Sequence, residues 1–478
     1  MHAERFTPIP MPSQEHSTAP LGTSRILAVA NLAVPFLLFA LIAARTSINI
    51  PYEDDYDAIG EFLERYISLH GPGARLWWVL TAQHVQYKDM IMQAVVAFQY
   101  QCTHILNYRA LEYWGDLSQP ATVVVLWFVF ARSGRPLTQR NWLFSIPCYL
   151  YLSMRYAESV NWTQANLQGP VVVLFAVLTT LLATSTRRRN FVWCLLSVAL
   201  TIGSSVNGFL IEPVVLFLFL YARRFRDAAW SVAVTLAMGA LYAYHYTFLN
   251  AGHPVPFWFG IESLIAFPFV FLGAAADSVS HAFIAGVLLV AGFVFLTWRG
   301  WLRVCPASFG AALFCLLTAC LVASGRFRFG VGGARAGHYI MYSLLLACLE
   351  YIAVVRLFVP QLLPRNSAWF KVLITTGVAA FVFCLASDAR GYRLLRTRQD
   401  LLTTHLILWE RHPDHLVLVP DEGFAEQQPE WIQWRVRFQQ DLQREIAMGL
   451  YVPPNSAIDP LPVRPHSPSS RDIENEVP

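Results

Sequence analysis

The chain has 478 residues, of which 55% are hydrophobic and 14% charged, and its formal net charge is +4. Soluble domains carry about a quarter charged residues, so this balance, with a mean hydropathy of +0.43, excludes an ordinary soluble protein and points to an all-α integral membrane protein. Its arginines are scattered between apolar runs instead of lining one basic face, which argues against a nucleic-acid binder.

Residues 1–24 hold Pro and Ser without an apolar run and read as a disordered cytoplasmic amino terminus. The stretch 26–44 is apolar, and no small-residue cleavage pattern follows it, so the sequence predicts a retained first span. Shortly after it comes an acidic cluster, Glu53, Asp54, Asp55 and Asp57. Residues 57–69 and 83–106 then mix apolar residues with Glu61, His84, Lys88, Gln93 and His104, the pattern of two helices lying in the membrane interface. The turn between them is His70-Gly71-Pro72-Gly73.

Further spans are predicted at about 115–131, 141–155, 170–186, 191–206, 209–222, 228–247, 282–298, 307–323, 339–358 and 371–387, which makes eleven with the first. Pro147, Gly203 and Pro213 suggest that some are broken or tilted. With the amino terminus inside, eleven crossings put the Arg clusters near 132–140, 187–189, 223–226, 299–303 and 356–371 on one side, as the positive-inside rule requires. That solution requires 85–112 and the apolar run 262–276 not to cross. It divides the chain into a polytopic domain over 25–388, a small soluble segment over 389–452 with an extended stretch at 415–419 and a helix at 430–448, and a Pro- and Ser-rich disordered tail over 453–478. The cysteines, without metal-ligand spacing, read as small core residues.

The same parity gathers the polar residues on the side of the acidic cluster. Glu158, Trp162 and Gln168 lie between two spans, Asn207 lies at a short turn, and Arg326, Arg328, Arg335 and His338 lie in the stretch GRFRFGVGGARAGHY. Amides and aromatic rings suit a sugar, and Arg beside Gly suits a phosphate. Together they suit a polyprenyl-phosphate sugar, whose tail lies in the bilayer and whose anionic head lies at its surface. Moving that sugar needs a base and cations to meet the leaving phosphate. Asp54 or Asp55 is the candidate base, and Arg326, Arg328 and Arg335 are the candidate clamp. Adjacent Asp54 and Asp55 also suit one divalent cation, Mg2+ or Mn2+. Glu53, Asp57, His84 and Lys88 are further candidate binding residues from the first loop.

A first span, an acidic cluster, a long outer loop with two surface helices and then many spans resembles the GT-C superfamily of membrane glycosyltransferases. More closely, the chain is similar to a group of uncharacterised bacterial polytopic membrane proteins with that layout. In that group the first loop carries a D-W-D-F-like segment, here Asp54-Asp55-Tyr56-Asp57-Ala58, and later H-N-E-H-R, of which His84-Val85-Gln86-Tyr87-Lys88 keeps the His and a basic residue. A W-E-N-W-x-W-G-x-Q segment falls on Glu158, Asn161, Trp162 and Gln168 with disturbed spacing, and an N-G turn matches Asn207-Gly208. A final G-R-x-x-x-G matches Gly325-Arg326 and Gly330, with His338 where that group has a later Arg.

The resemblance covers about residues 25–390. It implies a helical fold, a polyprenyl-phosphate-linked donor, a glycan, lipid or protein acceptor at the outer face of the inner membrane, and an Asp of the first outer loop as base or metal ligand. Gln86 and His338 depart from the pattern and leave open a divergent or inactive member. The competing readings are a transporter or flippase of a lipid-linked glycan, which would favour charges in mid-span, and a non-catalytic envelope-assembly protein.

Overall fold

The structure, a computed structural model, describes residues 21–131, 135–247, 257–359, 367–412 and 429–454. Among these residues every regular element is helical, and β-type pairing is confined to isolated bridges between His84 and Tyr87 and between Leu106 and Tyr451. The expected disordered tail from residue 455 on, the extended stretch at 415–419 and nearly all of the amino-terminal segment lie outside the described residues.

The chain opens with α1 (Leu21–Thr46), followed by a π-helical turn (Tyr56–Glu61) that runs directly into α2 (Phe62–Ser68). Next come α3 (Pro72–Thr81), α4 (Met90–Thr103) and α5 (Tyr108–Asp116). Gly71, at φ 89°, and Pro72 at the first helical position make the expected break. The helix expected over 83–106 is shorter, α4 over 90–103, because residues 82–89 make a tight turn, and with α3 and α5 the segment between α1 and α6 holds four short helices instead of two.

The bundle follows as α6 (Ser118–Ala131), α7 (Leu137–Tyr151), a 3-10 turn (Met154–Ser159), α8 (Thr163–Ala183), α9 (Arg188–Ser204), a second 3-10 turn (Val206–Leu210), α10 (Ile211–Tyr221) and α11 (Phe225–Ala243). It continues with α12 (Phe257–Leu272), α13 (Val279–Trp298), α14 (Trp301–Val304), α15 (Pro306–Arg326), two 3-10 turns (Phe327–Phe329 and Val331–Arg335), α16 (Gly337–Phe358), α17 (Ala368–Arg411) and α18 (Pro429–Ala447).

Six of these helices, α1, α8, α13, α15, α16 and α17, are long and apolar enough to cross a membrane, each with at least 18 residues and a strongly apolar window. At about 1.5 Å per residue, twenty residues match a hydrocarbon core of about 30 Å. Each of the eleven apolar runs read from the sequence lies on a helix, but α6, α7, α9 and α10 have only 14, 15, 17 and 11 residues. The run at 262–276 is also helical: α12 packs tightly on α13 at Gly273, where a Cβ would stand 1.8 Å from the Ala282 carbonyl oxygen.

Two large cores and a small cluster of Ile146, Tyr149, Ala380 and Cys384 make up the described interior. The larger lies among the bundle helices and includes Phe130, Val172, Val214, Phe271, Phe314 and Leu345. The second joins the segment between α1 and α6 to the carboxyl-terminal part through Tyr52, Tyr56, Ile59, Leu63, Tyr108, Leu406, Trp409, Phe438, Leu442 and Tyr451. The carboxyl-terminal segment is therefore not a separate appendage. No proline interrupts 368–411, so α17 runs unbroken for 44 residues, about 66 Å at the helical rise. At Gly391 it approaches the turn before α8 so closely that a Cβ would stand 2.5 Å from the Met154 Cβ. α18 then docks on the π-helical turn: Tyr56 stacks on Phe438 at 5.2 Å, Arg437 pairs with Glu61, and Arg444 pairs with Glu64.

Candidate functional site

Two adjacent aspartates that the sequence leaves equivalent have different surroundings. Asp55 is buried, and its carboxylate accepts the backbone N–H groups of Tyr52 at 3.1 Å, Thr163 at 3.2 Å and Gln164 at 2.7 Å. Thr163 and Gln164 open α8, so Asp55 caps that helix from another segment, where unpaired N–H groups and the helix dipole both favour an anion. Burial raises its pKa to about 7, against the pull of those N–H groups. All of its short contacts are to backbone, and its role in this arrangement is to fasten the first loop to α8.

Asp54 makes no hydrogen bond through its side chain among the described residues and is only partly buried. One ligand atom each from Asp54, Asp57 and His84 lie within 4.8 Å of one another. The π-helical turn supplies Asp57, and π-turns recur at functional sites because the extra residue re-aims side chains. The tight turn supplies His84: the His84 N–H donates to the Tyr87 carbonyl at 2.9 Å and the Tyr87 N–H to the His84 carbonyl at 3.0 Å. Val85 at its tip has φ 46°, a strained conformation for a β-branched residue that costs on the order of 1–3 kcal/mol.

The surrounding structure over-determines this turn. Gln83 bonds the backbone of Thr247 through both its amide groups, and Tyr246 donates to the Gln86 carbonyl. Lys88 is buried, with Nζ donating to the Tyr244 carbonyl, so this expected binding residue anchors the turn to the end of α11.

The electrostatics of the cluster follow from its burial. Desolvation raises the Asp54 carboxyl, with further raising by Asp57. Burial pushes Asp57 to about 6, and the nearby Arg437 guanidinium of α18 opposes the shift. Burial lowers His84, so its imidazole favours the neutral form with a lone pair available. His84 is 9% exposed and Asp57 5%, yet His84 Nε2 and Asp57 Oδ1 have no hydrogen-bond partner and stand 3.8 Å apart. Two carboxylates and an imidazole with orphaned buried ligand atoms fit a divalent cation. A nitrogen donor favours Mn2+ or another transition ion over Mg2+, which prefers oxygen ligands. The residues whose ligand atoms converge are Asp54, Asp57 and His84, while Asp55 is occupied elsewhere.

Facing the cluster is Arg326, the last residue of α15, exposed and without a hydrogen bond or ion pair among the described residues. Its charge acts on Asp54, on Tyr87 and on His338. His338 packs edge-on against Trp162 at 5.9 Å, and the Trp162 indole N–H is buried without an acceptor. Asp54, Asp57, His84 and Arg326 thus converge, with Trp162 and His338 alongside.

The other expected residues have separate engagements. Glu53 stands beside the cluster at φ 50°. Arg328 is exposed and lies over the Phe327 ring, and Arg335 donates to the carbonyls of Ala276 and Asp277. Glu158 caps α16 through the Gly337 N–H at 2.7 Å. Asn207 donates to the Tyr342 hydroxyl at 2.8 Å, and Gln168 donates to Asp89 at 3.0 Å. Sequence reasoning missed Asp89, which burial raises to about 7 and which also accepts from Gln164. It also missed Arg437, whose helix carries no marker tying it to the first loop.

Helices of this length and apolarity define the chain as an all-helical membrane protein, with an acidic and histidine-bearing cluster beside a free guanidinium at the end of an apolar helix. No family model, curated protein or solved structure matches it.

Proposed function

We propose that the protein is a GT-C-like membrane glycosyltransferase that moves a sugar from a polyprenyl-phosphate carrier to a glycan, lipid or protein acceptor at the outer face of the inner membrane. The observation that carries the reading is the unpaired Arg326 facing Asp54, Asp57 and His84 at the end of an apolar helix. A lipid-linked phosphate needs a cation at that depth, and transfer needs a base beside it.

Eleven crossings, with α12 returning to the side it left, agree with the contacts. The segment after α12 meets Arg155 and Arg335, and the segment after α11 meets Gln83, all in loops neighbouring the acidic cluster. Within the apolar helices Glu212 has local partners in Ser231 and Thr235, whereas Glu350 of α16 keeps a buried Oε1 without one.

Asp54 takes the acceptor hydroxyl proton as the acceptor oxygen bonds to the anomeric carbon. The bond from that carbon to the phosphate oxygen breaks, and its electron pair leaves with the polyprenyl phosphate, whose negative charge Arg326 meets. Trp162 and His338 flank the sugar. Asp57 and His84, with Asp54, would hold a divalent cation, which when bound supplies positive charge to the donor phosphate.

The test is sugar transfer by the purified protein in proteoliposomes loaded with radiolabelled polyprenyl-phosphate sugars. Turnover with wild type that falls at least a hundredfold in Asp54→Asn and in Arg326→Gln supports the reading. Turnover that is unchanged in a folded Asp54→Asn protein overturns it.

A further inference from the structure

Arg335, expected at the phosphate clamp, belongs instead to a second basic cluster. Arg155, in the turn before α8, donates from Nε to the Ala275 carbonyl at 2.7 Å and from Nη2 to Asp277 Oδ1 at 2.7 Å. Arg390, on α17, donates to the same Asp277 oxygen at 3.1 Å. Arg335 Nη2 donates to the carbonyls of Ala276 and Asp277, while its Nε is buried without an acceptor. Two guanidiniums therefore share one carboxylate and a third stands on the adjoining backbone carbonyls, and that carboxylate is 74% exposed. An excess of two positive charges with an unsatisfied buried donor calls for a further anion.

Directly beneath this cluster an apolar groove of about 440 Å3 runs between α7, α13, α16 and α17. Ala275 and Ala276, whose carbonyls hold Arg155 and Arg335, form its upper wall, and Leu288, Leu344, Ala347 and Phe383 line its length. Ser343 joins the two parts by accepting the Ala275 N–H. Glu350, two turns further along α16, marks the far end, about 10 Å below Ser343 at the helical rise. The groove opens on the outer face of α13, where Ile284 and Leu288 are 56% and 67% exposed, a surface that meets hydrocarbon in a membrane.

We propose that this groove and its arginines form a binding site for an anionic phospholipid, with the phosphate among Arg155, Arg335 and Arg390 and the upper part of one acyl chain along α13 and α16. Charge complementarity identifies the occupant, because a neutral lipid would leave the excess cations unmatched. The site is distinct from the acidic cluster in its contacts: its guanidiniums bond Asp277 and the carbonyls of Ala275 and Ala276, and none bonds Asp54 or Asp57. It stands independently of the proposed transferase reaction. The lipid would tie together α12, α13, the turn before α8 and the part of α17 around Arg390.

Native mass spectrometry of the full-length protein in neutral detergent tests this, with phosphatidylglycerol, phosphatidylcholine of the same chains and a polyprenyl phosphate offered in turn. The expected result is one phosphatidylglycerol retained at least tenfold more tightly than phosphatidylcholine. Arg155→Gln and Arg390→Gln should each weaken it several-fold, and Ala347→Phe, which fills the groove, should weaken it too. Arg390 is exposed, so its substitution leaves the fold intact. Equal retention of the two phospholipids overturns the proposal, as does a phosphatidylglycerol preference that survives both arginine substitutions. Polyprenyl phosphate binding more tightly than phosphatidylglycerol, with the same arginine dependence, would overturn it in favour of the carrier.

Discussion

Replacing Asp55 with Ala should damage the fold, whereas replacing Asp54 with Ala should not. The Asp55 carboxylate is the acceptor for three backbone N–H groups, two of them at the start of α8. Leaving a buried donor unsatisfied costs about 1–3 kcal/mol, and losing an anion at a helix amino terminus costs about 0.3–1 kcal/mol more. Burial works the other way, since the charge that is removed was itself expensive to bury, as the rise of its pKa to about 7 records. The net loss is therefore placed at about 2–5 kcal/mol, below the simple sum of three donors.

Domains are stable by only about 5–15 kcal/mol, so such a loss lowers the melting temperature by several degrees. Asp54 accepts no side-chain hydrogen bond among the described residues, and its substitution belongs with those that change stability by about 0.5 kcal/mol or less. Thermal unfolding in detergent, followed by tryptophan fluorescence and by size exclusion after heating, compares the two variants directly. An Asp55→Ala protein that melts with wild type beside an Asp54→Ala protein that melts several degrees lower would refute the assignment of anchor and reactive carboxylate.

The cation site gives a second expectation: Mn2+ titrated into the purified protein and followed by electron paramagnetic resonance should bind at one equivalent. His84→Ala should weaken that binding at least tenfold, and Asp55→Asn, if folded, should not. Binding that ignores His84 would remove the imidazole from the ligand set. A third concerns the docking of α18. Burial raises Asp441 from 3.8 to about 6 and raises Glu445 as well, and the guanidiniums of Arg437 and Arg444 only partly oppose this at Asp441. The docked state thus holds these protons more tightly than the released one, so docking is firmest below about pH 4 and weakens as pH rises through about 6. Hydrogen exchange in 436–447, corrected for its intrinsic pH dependence, should show less protection at pH 7.5 than at pH 5, and the opposite trend would contradict the burial of these acids. A fourth is that Gly60→Ala should loosen α18, because a Cβ there would stand 1.8 Å from Glu445 Oε1. Faster proteolysis within 413–428 would report it, and unchanged cleavage would count against the close approach.

The membrane character and the meeting of two distant segments were legible in the sequence. Apolar runs of twenty residues leave little alternative to α1, α8, α15 and α16, and charge parity brings Arg326 toward Asp54 without any contact being known. What was not legible depends on direction rather than position. Asp54 and Asp55 are neighbours of one residue type, and only the location of the α8 amino terminus separates their roles. Arg326 and Arg335 lie in one glycine-rich stretch, yet the intervening 3-10 turns send one to the acidic cluster and the other to Asp277. The amides at 161–168 read as sugar ligands, because burial against the first loop cannot be inferred from polar residues between spans. α18 carries polar residues and a modest apolar face, and its attachment to a segment almost four hundred residues away has no local signal.

The central claim is that the acidic cluster and Arg326 form one site at one membrane face, and side-specific cysteine labelling tests it most directly. In a background freed of native cysteines, single cysteines at positions 54, 188, 328 and 427 are exposed to a membrane-impermeant maleimide in intact cells. Positions 54, 328 and 427 should react from outside, and position 188 should react only after permeabilisation. Reaction of 328 from the side opposite to 54 would separate Arg326 from the carboxylates and contradict the account.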